Sequence, residues 1–186
     1  PMVGSGTTMI EAKLLGRKGI AFDIHPEVVA LAQEACVSEE NGKFDPKIEP
    51  GDACHLSAIK DGSIDFIATH PPYLNIIRYG ANEIDGDLSA ISSLSRFCDQ
   101  IELAAQECFR VLKPGKYCAI LIGDTRRRRH FVPLAFNVMQ RFLKAGFILK
   151  EDIIKLQHNC TTTRYWDTQD KDFLLIVHEH LFVFRK

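Results

Sequence analysis

Residues 1–8, Pro-Met-Val-Gly-Ser-Gly-Thr-Thr, form a glycine-rich turn that runs directly into a helical pattern. Such turns join a strand to a helix in α/β nucleotide-binding folds, because glycine lets the backbone turn tightly and approach a ligand closely. No strand-like run precedes the turn, so we expect the first strand of the sheet to be missing from this chain. A Gly-x-Gly turn alone is weak evidence for a ligand, and Met9 stands where the dinucleotide fingerprint has Gly or Ala.

After the turn, short apolar strands alternate with helical patterns. The sequence predicts strands at 18–23, 64–69 and 117–122, helices at 26–35, 97–112 and 133–145, and two long final strands at 147–156 and 173–184. The helix at 97–112 is expected to stop at Pro114-Gly115. This alternation indicates an α/β fold with a mostly parallel sheet and helices on both faces, and the two closing strands indicate an antiparallel hairpin at one edge.

Length and composition favour one compact domain spanning residues 1–186, of which 46% are hydrophobic. Lysine and arginine total 23 against 24 acidic residues, so any contact with nucleic acid has to come from a local patch. The six cysteines form no C-x-x-C pair, which predicts reduced, buried thiols and no metal site. Because no apolar run approaches the roughly 20 residues of a membrane span and no basic-then-apolar leader is present, we expect a cytoplasmic protein without membrane contact.

Two acidic residues follow strand-like stretches. Asp23 ends the strand after the glycine turn, where a carboxylate can accept hydrogen bonds from the ribose hydroxyls of a nucleotide-like ligand. Asp52, in Gly51-Asp52-Ala53, closes the next such stretch and could face an adenine amino group. Each also fits a simpler role as a turn or helix-capping residue.

A second motif, Thr69-His70-Pro71-Pro72-Tyr73, directly follows a buried strand. Two prolines fix the backbone so that one carbonyl and the preceding side chain point the same way, and the tyrosine ring can stack on a planar ligand. A rigid turn with a packed tyrosine is the alternative interpretation.

Together these motifs resemble the amino-methyltransferase family of DNA methylases, the N4-cytosine and N6-adenine enzymes. That family carries an Asp-Pro-Phe-x-Gly-Ser-Gly-Thr-Thr loop and, later, Asp, Asn or Ser followed by Pro-Pro-Tyr. Here residues 1–8 match the loop without its leading Asp, and residues 70–73 match the tetrapeptide with His first. Residues 111–115 and 181–186 also look like family segments, so the resemblance covers essentially the whole chain.

The resemblance implies a Rossmann-like class I methyltransferase fold, S-adenosylmethionine as cofactor, and a DNA base as substrate. It assigns the cofactor to Pro1, Gly4, Ser5, Gly6, Thr7, Thr8, Asp23, Asp52 and Ala53, and it assigns catalysis to His70, Pro71, Pro72 and Tyr73. The base would be flipped out of the duplex and stacked on Tyr73. Family members with Ser at the position of His70 tend to act on cytosine N4 and those with Asp on adenine N6, and His indicates neither.

The chemistry needs hydrogen-bond acceptors, because the N–H hydrogens of a base amino group have to be bound as its nitrogen becomes tetrahedral. The Pro71 carbonyl and residue 70 are the expected acceptors. A neutral imidazole can accept one hydrogen bond, whereas an imidazolium accepts none. We therefore expect His70 to work in its neutral form.

The run Arg126-Arg127-Arg128-Arg129-His130 follows a predicted strand and is the local candidate for contact with DNA phosphates. A solvated loop is the alternative. The segment 159–170, with Arg164, Tyr165 and Trp166, either approaches the target or forms an ordinary hairpin loop with a packed Trp. Residues 74–95 form a long segment that suits a lid or substrate loop.

DNA is thus the expected partner, with RNA possible as a substrate. Related Pro-Pro-Tyr enzymes methylate guanine N2 in tRNA or a protein glutamine, and a non-catalytic nucleic-acid-binding relative is a further alternative. Because no large target-recognition region is evident, we expect sequence specificity to come from an upstream segment or a separate element. The sequence does not indicate an oligomeric state.

Overall fold

The structure is a computed structural model that describes residues 1–39, 42–76, 84–157 and 172–186. The helices in these ranges are α1 (Thr7–Leu14), α2 (Pro26–Ser38), α3 (Leu94–Val111) and α4 (Leu134–Lys144), with a short 3-10 turn at Leu88–Ala90. The strands are β1 (Ile20–Asp23), β2 (Lys47–Pro50), β3 (Ile64–Thr69), β4 (Leu112–Ile122), β5 (Thr125–Arg127), β6 (His130–Val132), β7 (Ile148–Leu156) and β8 (His178–Arg185). No helix in the described ranges is long and apolar enough to cross a membrane.

The strands form both parallel and antiparallel pairs. β1 pairs in parallel with β2, and a four-stranded sheet has the order β3-β4-β8-β7. Within it β3 and β4 are parallel, whereas β8 runs antiparallel to both of its neighbours. The predicted antiparallel hairpin of the two final strands at one edge is confirmed, and its later strand lies inside the sheet.

The N-terminal residues connect the β1–β2 pair with the four-stranded sheet. The Val3 N–H donates to the Phe22 carbonyl in β1 at 2.9 Å, and the Thr69 hydroxyl of β3 donates to the Pro1 carbonyl at 2.7 Å. Within the described ranges no strand pairs with both β1 and β3, and Phe66 on β3 is 58% exposed.

The two faces of β1 pack into different clusters, because successive side chains of a strand point to opposite faces. Ala21 packs in a cluster with α2 residues, whereas the next residue, Phe22, belongs to the main core with α3 and α4. That main core is rich in buried aromatic side chains, among which Phe142 and Phe184 stack with ring centroids 5.3 Å apart. The five cysteines in the described ranges are buried and unpaired, as expected.

Several predicted boundaries are wrong, at the start of α3, at the start of β4 and at the start of β8. α3 begins before the predicted residue 97, with the Ser93 hydroxyl accepting from the Arg96 N–H, and it ends at Val111, one residue before the predicted end at 112. The chain passes straight into β4 at the fully buried Leu112, which is the register partner of Ile64 in β3. The register then shifts across the proline and glycine before Tyr117 pairs with Phe66. β8 begins at His178, five residues after the predicted start at 173.

Candidate functional site

The glycine turn packs tightly against α2. Gly4 and Gly6 have φ angles of 54° and 85°, in the left-handed region that favours glycine. A Cβ at Gly6 would lie 3.2 Å from the backbone of Ala32, whereas one at Gly4 would meet nothing within 4 Å. Glycine is therefore required at position 6 by contact as well as by conformation, and at position 4 by conformation alone.

Asp23 holds this turn in place. Its Oδ2 accepts the Gly4 N–H and its Oδ1 accepts the His25 N–H, both at 3.2 Å. Each carboxylate oxygen has a second lone pair, so these bonds still leave acceptor capacity for ligand hydroxyls. The simpler turn-stabilising role and the proposed ribose role are thus compatible in one side chain.

Asp52 lies beside Asp23 because β1 and β2 run in parallel. Asp23 is the register partner of Pro50, and the Gly51 N–H donates to the Asp23 carbonyl at 2.9 Å. The Asp52 carboxylate accepts the Cys54 N–H at 2.8 Å and lies 3.0 Å from His55 Nδ1. Both predicted carboxylates therefore stand at one edge of the sheet.

The other predicted loop residues divide into exposed and buried ones. Ser5, Thr7 and Thr8 are exposed, and the Ser5 and Thr7 hydroxyls lie 3.2 Å apart. Ala53 is buried with Cys54 and Ala104, so only its backbone is placed to meet a ligand. A glycine turn flanked by two strand-end carboxylates suits a nucleoside-bearing cofactor, and these residues fit S-adenosylmethionine.

The tetrapeptide 70–73 is fixed beside this turn. The Thr69 hydroxyl that precedes it binds the Pro1 carbonyl, and Pro71 is buried. Leu74, which follows it, is fully buried and has a φ of 56°, an unfavourable angle for a side chain other than glycine. Strained residues of this kind are held by their surroundings and cluster at functional sites.

The Tyr73 hydroxyl lies within hydrogen-bonding distance of two side chains, those of Glu179 and His70. The hydroxyl donates to Glu179 Oε1 at 2.5 Å and lies 2.9 Å from His70 Nε2. The ring centroids of His70 and Tyr73 are 5.4 Å apart, and a Cβ at Gly123 would touch the Tyr73 hydroxyl at 3.4 Å. Glu179 is in turn bonded to Lys155, whose Nζ lies 2.7 Å from Oε2.

Sequence reasoning missed Glu179, Lys155 and Gly123. The available signal was the His178-Glu179-His180 run, which places charged or titratable groups at the start of an otherwise apolar strand. Glu179 is only 6% exposed, and a buried carboxylate requires partners. Those partners come from β7 and from the turn after β3, so local sequence could not identify them.

The electrostatics of the site favour a neutral His70. Burial lowers the pKa of His70, and Lys155 lowers it further, whereas Glu179 opposes the shift. Burial raises the pKa of Glu179, but hydrogen bonds from Lys155 and Tyr73 outweigh it, so the pKa lies below its ordinary value. At neutral pH the pair is an uncharged imidazole and a carboxylate.

The arginine run forms a two-stranded hairpin, which differs from the solvated loop of the alternative interpretation. β5 and β6 pair in antiparallel, and the positive φ angles of Arg128 and Arg129 make the turn. Arg127 binds the Ser92 carbonyl and, at 2.7 Å, Asn75 Oδ1, which ties the hairpin to the segment after Tyr73. The run therefore lies near the tetrapeptide 70–73.

Most of these arginines already have protein partners. Arg126 donates to the Leu174 carbonyl at 2.7 Å and lies over the Phe173 ring, and Arg129 pairs with Asp172 at 3.0 Å. Arg128 is exposed and makes no hydrogen bond or ion pair with any residue in the described part of the chain. Arg128 is thus the arginine best placed to meet an external anion.

Some predicted residues lie outside the described ranges. These are Arg164, with Tyr165 and Trp166, and residues 77–83 of the suggested lid. Gly86, in the described part of that segment, lies close to Asp52, because a Cβ there would be 3.5 Å from Asp52 Oδ2.

Comparison with known proteins gives a family model and similar sequences. Residues 64–186 match the N6/N4 methyltransferase model, described as DNA methylase. An uncharacterised protein of Methanocaldococcus jannaschii, MJ1233, is 31% identical over 147 residues, which are 78% of this chain and 44% of that protein. The Type II beta methyltransferase M.BslI of a Bacillus species is 27% identical over 155 residues, 75% of this chain and 16% of that enzyme.

A solved structure shares the fold. TTHA0409 of Thermus thermophilus, a candidate DNA modification methylase crystallised with S-adenosyl-L-methionine, is 25% identical with a TM-score of 0.53. The match covers 73% of this chain and 53% of that one. The matched part of this chain therefore spans about half or less of the length of these three proteins.

Proposed function

Since the chain belongs to the N6/N4 DNA methylase family, we propose that it is the catalytic part of an S-adenosylmethionine-dependent methyltransferase. Its substrate is an exocyclic amino group of a DNA base, adenine N6 or cytosine N4. The observation that carries this proposal is the hydrogen bond between the Thr69 hydroxyl and the Pro1 carbonyl. That bond holds the cofactor turn and the tetrapeptide 70–73 together, as transfer between two bound molecules requires.

The cofactor-binding residues are those of the glycine turn and of the two strand ends. Residues 4–8 would hold the methionine part, the Asp23 carboxylate would accept from the ribose hydroxyls, and Asp52 would bind the adenine amino group. When bound, the cofactor supplies an electrophilic methyl group. The protein's own task is to fix the ligand at the sheet edge next to His70.

The tetrapeptide binds and orients the amino group. The base nitrogen bonds to the methyl carbon as the carbon–sulfur bond breaks, the bonding electron pair stays on sulfur, and one proton leaves the nitrogen for water. Acceptors at the Pro71 carbonyl and His70 hold the two N–H hydrogens, so that the nitrogen lone pair points at the methyl group. Tyr73 provides the face on which the flipped base stacks.

Support for DNA over other acceptors comes from the family and from the hairpin. The positive charge of Arg128 lies on the hairpin that Arg127 ties to Asn75, two residues after Tyr73. Phosphates that flank a flipped base would lie along such a surface. A tRNA guanine or a protein glutamine amide would need the same acceptors, so these remain the competing substrates.

One experiment decides among the substrates. The full-length protein is incubated with methyl-tritiated S-adenosylmethionine and separate pools of DNA, tRNA and protein, and labelled DNA is digested to nucleosides. We expect label in DNA, as N6-methyladenine or N4-methylcytosine, and its loss in His70→Ala. Label found only in tRNA or protein, or in no pool, would refute the proposal.

A further inference from the structure

His70, Tyr73, Glu179 and Lys155 form a connected chain, here called the Tyr73–Glu179 network. His70 Nε2 and the Tyr73 hydroxyl are 2.9 Å apart, that hydroxyl is 2.5 Å from Glu179 Oε1, and Lys155 Nζ is 2.7 Å from Glu179 Oε2. Lys155 and Glu179 are register partners in the β7–β8 pair. The network thus links the catalytic turn to the far edge of the sheet.

Glu179 is the fixed acceptor of this network. It is 6% exposed, and each of its oxygens has a hydrogen-bond donor. The Lys155 ammonium and the Tyr73 hydroxyl hold the carboxyl in its ionised form against the effect of burial. An ionised carboxylate only accepts hydrogen bonds, so it has no proton to give to Tyr73.

Counting protons then determines the tautomer of His70. A tyrosine hydroxyl has a single hydrogen, and here it points at Glu179. The hydroxyl oxygen can therefore only accept from His70, which requires a hydrogen on Nε2. A neutral imidazole has one N–H, so its Nδ1 carries the free lone pair. In the described part of the chain Nδ1 has no hydrogen-bond partner, and half of the His70 side chain is exposed.

We propose that Glu179 is a positioning residue that, through Tyr73, holds His70 as the Nε2–H tautomer and leaves Nδ1 to accept an N–H of the target amino group. This inference rests on the proposed function for the identity of the group that Nδ1 meets. The tautomer itself does not depend on any substrate. The same bond also fixes the Tyr73 ring, since the Tyr73 hydroxyl is held at both sides by His70 and Glu179.

The tautomer is tested by NMR on full-length protein labelled with ¹⁵N-histidine, near pH 7.5. Long-range ¹H–¹⁵N correlations distinguish the two tautomers, and the signals missing in His70→Gln identify His70. We expect the Nε2–H pattern in the unmodified protein. In Glu179→Gln the amide can donate to the Tyr73 oxygen, and in Tyr73→Phe the link is cut, so both should give a mixture. An Nδ1–H pattern at the outset, or an unchanged pattern in both variants, overturns the proposal.

A matched control is Glu151→Gln, which neutralises an exposed carboxyl on β7 and should leave the His70 signals unchanged. In methyl-transfer assays Glu179→Gln should lower kcat at least 10-fold with little change in affinity for S-adenosylhomocysteine. Equal kcat in Glu179→Gln and the unmodified enzyme refutes the positioning role, while inactivity of the unmodified enzyme on DNA refutes only the proposed function. Because Tyr73→Phe tests the same link, misfolding of Glu179→Gln does not remove the test.

Discussion

The Asp23 carboxylate accepts the Gly4 N–H at 3.2 Å, so the residue expected to bind ribose also holds the glycine turn. A second bond, from the His25 N–H to the other oxygen, fixes the carboxylate in the chain reversal between β1 and α2. Both carboxylate oxygens of Asp23 therefore have fixed positions before a ligand binds. Such preorganisation reduces the entropy that ordering the site would otherwise consume on binding.

Asp23→Ala should weaken cofactor binding by about 10-fold or more, since hydrogen bonds to a charged group contribute roughly 1.5–3 kcal/mol each. Calorimetric titration of the full-length protein with S-adenosylhomocysteine measures this. Asp23→Asn, which keeps one acceptor oxygen, should fall between Ala and the unmodified protein. Unchanged affinity in Asp23→Ala would exclude Asp23 from ribose binding.

Gly6→Ala should lower thermal stability more than Gly4→Ala. Both positions have positive φ, and such strain costs about 1–3 kcal/mol for a residue with a Cβ. Only Gly6 also meets α2, at 3.2 Å from Ala32, so the contact adds to the strain. Thermal denaturation of the two variants side by side gives the comparison, and equal losses would show that the contact with Ala32 relaxes freely.

Activity should fall on acidification only below the ordinary histidine midpoint of about 6.5. The folded-state pKa of His70 is lowered, mainly by burial, so the imidazole stays neutral at pH 7 and is protonated only at a lower pH. Protonation adds a hydrogen to Nδ1 and removes the acceptor. The measurement is kcat against pH, with S-adenosylhomocysteine binding followed at each pH to separate loss of cofactor.

Substitutions of His70 test the same acceptor in another way. His70→Ala should lose roughly 100-fold in turnover, the scale of one transition-state hydrogen bond, whereas His70→Asn should keep measurable activity through its carbonyl oxygen. The fall in kcat at low pH that comes from protonation of His70 should be absent in His70→Asn. Full single-turnover activity in His70→Ala would mean that the Pro71 carbonyl suffices.

Arg128→Ala should weaken DNA binding and lower the slope of log affinity against log salt by about 1, the contribution of one phosphate contact. Sequence preference should not change, because phosphate contacts carry no base information. Arg127→Ala is the informative comparison, since it removes the bonds to Ser92 and Asn75 and should lower turnover more than the salt slope. An unaltered slope in Arg128→Ala would leave the turn of the hairpin without a role in DNA binding.

The sequence by itself determined the α/β architecture, the glycine turn and the tetrapeptide after β3. Each of these features depends on residues close together in the sequence. Alternating periodicity predicts the helices and strands, a positive φ at a turn requires glycine, and prolines fix a short backbone segment. It also placed Asp23 correctly at a strand end, because the strand that it closes is a short apolar run.

The tertiary structure alone decided which side chains meet. Tyr73 and Glu179 are 106 residues apart, and they touch only because β8 lies between β4 and β7 with Glu179 opposite Lys155. Likewise, three of the four arginines bind partners in distant segments of the chain. The charged run in the sequence did not predict these partners. Strand order and register are set by the packing of the whole sheet, so the proton on His70 depends on a residue that no local pattern connects to it.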